Sequence, residues 1–183
     1  MGNNSSGGVS SDQRVEAVYQ LALDYERTKT ACSQCVIAPL QEVFDLGNDE
    51  LFRASFGLAG GLGCTCDGTC GALAGGVLVL NLLYGRTKQQ FEQQGPDPLQ
   101  SPSPPWQEKG MLLAQQLATR FTEEYGSIIC GDVQTKIMGF KADLWTQEGL
   151  EKMEKAGGHL DKCPVVVANA ARWAAEILIA QGL

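Results

Sequence analysis

The stretch that decides the fold starts at Gly57-Leu-Ala-Gly-Gly-Leu-Gly63 and continues as Cys64-Thr-Cys66-Asp-Gly-Thr-Cys70. It ends in Gly71-Ala-Leu-Ala-Gly-Gly-Val-Leu-Val-Leu-Asn-Leu-Leu-Tyr84. The final part is long enough for a helix and apolar on nearly every side, which predicts a helix enclosed by others. Its apolar run from Ala72 to Tyr84 is too short and too rich in glycine to span a bilayer. A loop crowded with glycine and cysteine therefore feeds straight into a core helix.

Apolar residues recur at helical spacing on both sides of this stretch. Val15, Val18, Leu21, Ala22 and Tyr25 predict a first helix to about Lys29, opened by a capping box of Ser10 and Gln13. Thr30 is the expected cap of a second helix through Cys32, Cys35, Val36, Leu40 and Val43 to Leu46-Gly47, kinked or broken at Pro39. Asn48 or Asp49 opens a short third helix, Leu51 to Phe56. Lys109 to Tyr125 places Leu112, Leu113, Leu117 and Phe121 on an inner face. Thr146 to Ala156 and Pro164 to Ala180 complete the set. No period-two segment is long enough to anchor a sheet, and 126–144 holds only short apolar pieces without a clear period. The reading is all-α: a single compact multi-helix domain over 11–183, with cysteines on loops and helix N-termini. Residues 1–10 are expected to be a disordered tail. Residues 89–105, with five of the seven prolines, read as a Pro-rich linker or excursion within the domain.

Composition narrows the function. The chain has 183 residues, 44% hydrophobic and 19% charged, which excludes a wholly disordered chain and a coiled-coil rod. Its net charge of −7 and the lack of a basic run exclude the electrostatic footprint of a nucleic-acid binder. An acidic surface suits docking to a basic redox partner protein. The opening MGNNSSGGVSSDQR has neither a basic nor an apolar leader region, so the expected compartment is the cytoplasm, where thiols stay reduced. Met1-Gly2-Asn3-Asn4-Ser5-Ser6 fits a myristoylation pattern literally, but no polybasic patch or second lipid site supports it.

Seven cysteines, an odd number, leave at least one thiol outside any set of disulfides. Four share one context. Cys32 falls in the first turn of the second helix, and Cys70 begins the fourth. Cys163 precedes Pro164, a residue favoured at the first helical position, and Cys130 lies at a further candidate helix start. Free amides and partial positive charge at a helix N-terminus stabilise thiolates. Four thiolates so placed could hold the anionic core of an iron–sulfur cluster. A single cysteine is usually a small apolar packing residue; four at helix starts point beyond packing.

Cys32-Ser33-Gln34 before an apolar helix, Gly60-Gly61-Leu62-Gly63 ahead of Cys70-Gly71-Ala72-Leu73-Ala74-Gly75, then Cys130 and Cys163, together resemble the C_GCAxxG_C_C family of redox-active proteins. The resemblance runs from about Val15 to Leu178. It implies a small all-helical domain whose four cysteines correspond to Cys32, Cys70, Cys130 and Cys163. The module is also similar to the C-terminal part of split-Soret cytochrome c, where an iron–sulfur centre accompanies haems.

Three more cysteines depart from that pattern. Cys35 lies three residues after Cys32 on the same helical face, and Cys64 and Cys66 extend Cys70 into a C-x-C-x3-C loop. Seven thiols exceed the four that a simple cluster needs, so either a larger or second cluster binds, or the surplus thiols do separate redox work or none. The expected function is electron transfer or redox sensing by an iron–sulfur protein. The alternatives are a thiol/disulfide oxidoreductase or sulfur carrier cycling Cys32/Cys35 or Cys64/Cys66, and a metal-stapled structural module.

Other motifs rank lower. Cys32-Ser-Gln-Cys35 lacks the βαβ context of a thioredoxin-like site, and Val36 stands where a c-type haem motif needs histidine. Zinc usually takes paired knuckles, which only Cys64/Cys66/Cys70 approaches. His159 reads as an exposed loop residue rather than a ligand, and Asp67-Gly68 as a turn. The Gly57–Gly63 run has no following Gly-Lys-Ser/Thr, so it is not a phosphate loop. Trp106, Trp145 and Trp173 are expected to be core or helix-packing residues.

Overall fold

The computed structural model describes residues 9–93 and 108–183. The proposed tail up to residue 8, the myristoylation pattern, the excursion from residue 94 and Trp106 lie outside the described residues. Nine α-helices are present in that range, and no strand: α1 (Ser11–Thr28), α2 (Cys32–Phe44), α3 (Asp49–Ser55), α4 (Gly71–Tyr84), α5 (Lys88–Gln93), α6 (Lys109–Tyr125), α7 (Cys130–Met138), α8 (Gln147–Lys155) and α9 (Cys163–Ala180). A 3-10 turn, Phe56–Leu58, prolongs α3, and a π-helical turn, Gly158–Lys162, leads into α9.

The capping box forms as the sequence implies: Ser10 N–H donates to Gln13 Oε1 (2.8 Å) and Gln13 N–H to Ser10 Oγ (3.2 Å). Val18, Ala22 and Glu26, four residues apart, form the buried stripe of α1 against α9 and α2. The stripe thus ends on a carboxylate. Helix α4 is surrounded by α2, α6 and α9, which explains its all-round apolarity. Leu113, Leu117, Phe121 and Tyr125 of α6 are buried at four-residue spacing, and Phe121 meets Trp173 of α9 edge-on at 6.3 Å. The segment Gly158–Ala180 is long and apolar enough to cross a membrane. In this fold most of that surface is covered by other helices.

Several details differ from the sequence reading. Thr30 does not cap α2: Thr30 and Ala31 are both left-handed (φ +61° and +65°), and Ala31 occupies the cap without a side-chain bond. The carbonyl of Thr30, not its hydroxyl, faces the helix and accepts from Cys35 Sγ at 2.8 Å. Pro39 does not interrupt α2, because its ring is fully buried and packing outweighs the lost backbone bond. The helix ends at Phe44, where Asp45 turns left-handed. Leu112 sits about 100° round from the buried line of α6 and is exposed. A second reciprocal cap, Thr87 with Gln90, starts α5, which runs into the segment read as linker. The ambiguous stretch 126–144 contains α7.

Gly75 lets α2 and α4 touch. A Cβ there would lie 2.5 Å from the carbonyl oxygen of Ser33 and 3.1 Å from Val36 Cβ. Ser33 is itself held in the core by donating Oγ–H to the Ser55 carbonyl at 2.8 Å. Gly75→Ala is therefore expected to destabilise the fold by about 1–3 kcal/mol through overpacking. Gly47→Ala, with nothing within 4 Å of the added carbon, should change stability by no more than about half a kcal/mol. Urea unfolding midpoints of the two variants would measure the difference.

Candidate functional site

The backbone from Gly60 to Cys64 is left-handed at five consecutive residues (φ +61°, +71°, +71°, +56° and +60°), and Cys66 follows at +62°. Left-handed conformation costs a residue with a Cβ roughly 1–2 kcal/mol, so Leu62, Cys64 and Cys66 carry strain. Internal hydrogen bonds hold the coil: Cys64 N–H to the Ala59 carbonyl (3.0 Å), Cys66 N–H to Gly60 (2.8 Å) and Gly68 N–H to Gly61 (3.0 Å). Glycine is required at 61, where φ is positive and an added Cβ would lie 2.7 Å from Cys130 Cβ.

A second segment clasps this coil. Cys70 N–H donates to the Ile128 carbonyl (2.7 Å), Cys130 N–H to Gly68 (2.9 Å) and Gly131 N–H to Cys66 (2.7 Å), around an antiparallel bridge of Thr69 with Ile129. The clasp sets the start of α7 beside the start of α4. Cys130 is thereby brought against both Cys66 and Cys70, although about 60 residues separate them in the chain.

All four family-like cysteines stand at helix starts. Cys32, Cys130 and Cys163 are the first residues of α2, α7 and α9, and Cys70 is the N-cap of α4. These four and Cys64 line one cavity of about 460 Å³. The same cavity is bounded by Glu26, Gln134, Trp145 and His159. Cys66 is fully buried just behind Cys130, and Cys35 points away toward the Thr30 carbonyl and Glu26. All seven are free thiols. Among the described residues, no three His, Cys, Asp or Glu side chains converge closely enough to hold a single metal ion. The cysteines surround a volume rather than a point.

Local electrostatics separate the thiols into two groups. The Cys130 thiol, with help from Gln134 and Lys141, holds Cys66 down at about 7. Cys130 likewise lowers Cys70, together with the free amides of Ala72 and Leu73 at the start of α4. Cys130, the proton donor to both, is pushed far up. Burial, then the charge of Glu26, raises Cys32, Cys35 and Cys163. Burial, then Cys66, raises Cys64. The Gly60 N–H points at Cys32 Sγ from 3.5 Å and favours its thiolate.

Three residues of this site escaped the motif reading. Gln134 is buried and spans α7 and the next loop: its Nε2 donates to Cys66 Sγ (3.4 Å) and Cys130 Sγ (3.7 Å), and its Oε1 accepts from Ala142 N–H (2.8 Å). Glu26 is 3% exposed, and burial lifts its carboxyl to about 7. Trp145, expected as a core or helix-packing residue, is instead 77% exposed at the rim, where its indole N–H donates to the Gly63 carbonyl at 3.1 Å. Trp173 is buried as expected. His159 is half-buried on the cavity wall and paired with Glu154, less free than a loop histidine. Asp67 occupies its turn and pairs with Lys141, whose stem lies over Gly131. Of these three residues, the period-four spacing from Val18 through Ala22 was the one available signal, for Glu26.

Residues 30–177 match the family model described as "Putative redox-active protein (C_GCAxxG_C_C)". No curated protein and no solved structure matches the chain.

A donor to a thiolate lowers its pKa, so removing the donor raises it. In the reduced, metal-free protein, Gln134→Leu should move the Cys66 titration upward from about 7 by about one pH unit. Thiolate absorbance at 240 nm against pH would follow this, with Cys66→Ser identifying the step by its loss.

Proposed function

The chain belongs to the C_GCAxxG_C_C family of redox-active proteins, and from that premise we propose that it is an iron–sulfur redox protein for electron transfer or redox sensing. The carrying observation is the convergence of five cysteines on one cavity, four of them at helix N-termini. The start of α4, whose Ala72 and Leu73 amides turn to the Cys70 sulfur, supplies partial positive charge where an anionic cluster would sit. Thiolates around a volume suit a polynuclear cluster better than a mononuclear zinc site, which needs donors about one point.

Cys32, Cys70, Cys130 and Cys163 would hold the cluster, with Cys64 on the same wall and Cys66 adjoining Cys130. When bound, the cluster supplies a reversible one-electron step. The protein's own residues prepare the place. Ala72 and Leu73 amides favour the Cys70 thiolate, the Gly60 amide favours that of Cys32, and Gln134 orients Cys66 and Cys130. Val133, Val166, Val167 and Met153 keep the inner wall apolar. Phe56 and Trp145 form an exposed apolar rim by which a partner protein would approach. The compartment proposed is the cytoplasm, and the partner a basic protein that complements the net charge of −7.

The contact among Cys66, Cys70 and Cys130 favours thiol/disulfide chemistry as the second reading. There a thiolate available near neutral pH lies against a protonated thiol.

Anaerobic purification, with reconstitution from ferrous iron and sulfide, decides between the two. Brown protein containing both iron and acid-labile sulfide is expected. Colourless, metal-free protein with a reversible disulfide would favour the second reading. Cys70→Ala should lose iron and melt at a lower temperature than the loaded parent, because metal bonds made only in the folded state add to folding stability. Cys35→Ser should retain its iron, whereas the double change Cys64→Ser and Cys66→Ser should lose part of it, as iron and sulfide analysis would show.

A further inference from the structure

Helix α1 contributes no cysteine, yet its last buried residue reaches the cysteine cavity. Glu26 is 3% exposed, and its Oε2 is buried without any hydrogen-bond partner. The residue lines the same cavity as Cys32, Cys70 and Cys163. Burying a carboxylate without a partner is costly, and proteins normally supply a donor or a cation. The Cys35 thiol is the side-chain donor beside this carboxyl, Oε2 stays without one, and the neighbouring basic groups supply no cation. Arg27, next in the chain, turns outward to the Leu160 carbonyl and Asp24. His159 is engaged by Glu154, and Lys141 by Asp67 at the far side of the clasp. Among the described residues, the cavity therefore combines thiols with one carboxylate and no lysine or arginine to balance them.

We infer that Glu26 is an oxygen ligand to iron held in the cysteine cavity. This assignment rests on the iron–sulfur reading and deepens it, giving the centre a mixed sulfur and oxygen donor set. Carboxylate oxygen and cysteine sulfur are both established iron-binding atoms, and a bound cation supplies the charge that the carboxylate lacks. The position is rigid: Val18 and Ala22 anchor the same face of α1 in the core, and α1 packs along α9, which starts with Cys163. Glu26 lies outside the family-matched residues 30–177.

The assignment makes stability and metal binding move in opposite directions. In metal-free protein, Glu26→Leu replaces a buried carboxyl that has one unpartnered oxygen with an apolar side chain, and should raise the melting temperature by about 2–4 °C. In ferrous iron titrations of the same variant, affinity should fall roughly tenfold or more. After reconstitution with iron and sulfide, its Mössbauer spectrum should lack an iron subsite present in the parent. Glu26→Gln, nearly isosteric, should show a smaller loss of affinity, and it carries the test should the leucine variant not fold. Parent-like iron affinity and spectrum in the leucine variant would overturn the assignment while leaving the cluster reading intact. A parent protein that binds no iron would overturn both.

Discussion

Three backbone hydrogen bonds between the cysteine coil and the Ile128–Gly131 segment carry the architecture of the site. Without them, α4 and α7 would have no reason to start side by side, and Cys130 would not meet Cys66 and Cys70. The clasp also makes the left-handed coil tolerable. A non-glycine residue with positive φ loses energy locally, but the coil repeats the conformation so regularly that its amides find carbonyl partners within or just before the coil, while the Cys66 and Gly68 carbonyls accept across the clasp. The strain at Leu62, Cys64 and Cys66 is thus over-determined by neighbours, the condition under which unusual backbone persists.

The helices around the clasp act as sources of direction. Each family-type cysteine occupies a helix start, but only at α4 do the first amides, those of Ala72 and Leu73, turn to a sulfur; at α7 the Cys130 and Gly131 amides are taken by the clasp, and the Cys163 amide by the Gly158 carbonyl. Opposing this is the carboxylate of Glu26, which adds negative charge to a place already rich in sulfur. The thiols divide accordingly: Cys66 and Cys70, which accept from the Cys130 thiol, are lowered, whereas Cys130 itself and the thiols near α1 are raised. Gln134 stands beside the clasp, where a neutral amide donates to sulfur without introducing a full buried charge.

Much of the helical framework was legible in the sequence because its signals are local: the Ser10–Gln13 box, the apolar α4, Pro164 after Cys163, and the spacing in α6. Helix starts at Cys32, Cys70, Cys130 and Cys163 were legible for the same reason. The loop between them was not. Six left-handed residues, only half of them glycine, cannot be recognised from propensity, since cysteine and leucine normally avoid that region. Thr30 looked like a cap because its side chain is right for one; the left-handed turn at Thr30 and Ala31 presents the carbonyl instead. Trp145 looked like core by residue type, but its polar N–H found the Gly63 carbonyl at the surface. Gln134 and Glu26 became visible only when distant helices met, because nothing local distinguishes them from exposed polar residues.

The π-helical turn Gly158–Lys162 sets a phase relation between the two parts of the wall it joins. A π turn widens the helix, so that side chains on either side are offset from the ordinary 3.6-residue register. Met153 and His159 reach the cavity from before or within that turn, and Cys163, Val166 and Val167 from after it. Deleting one residue between 158 and 162 would restore ordinary pitch at a cost in alignment, turning the start of the turn by about 100° relative to α9. Such a change would leave α9 intact while rotating His159 out of step with Cys163. The length of this turn is therefore under a constraint distinct from its composition: substitutions on its exposed side can accumulate, but insertions and deletions are counted one residue at a time.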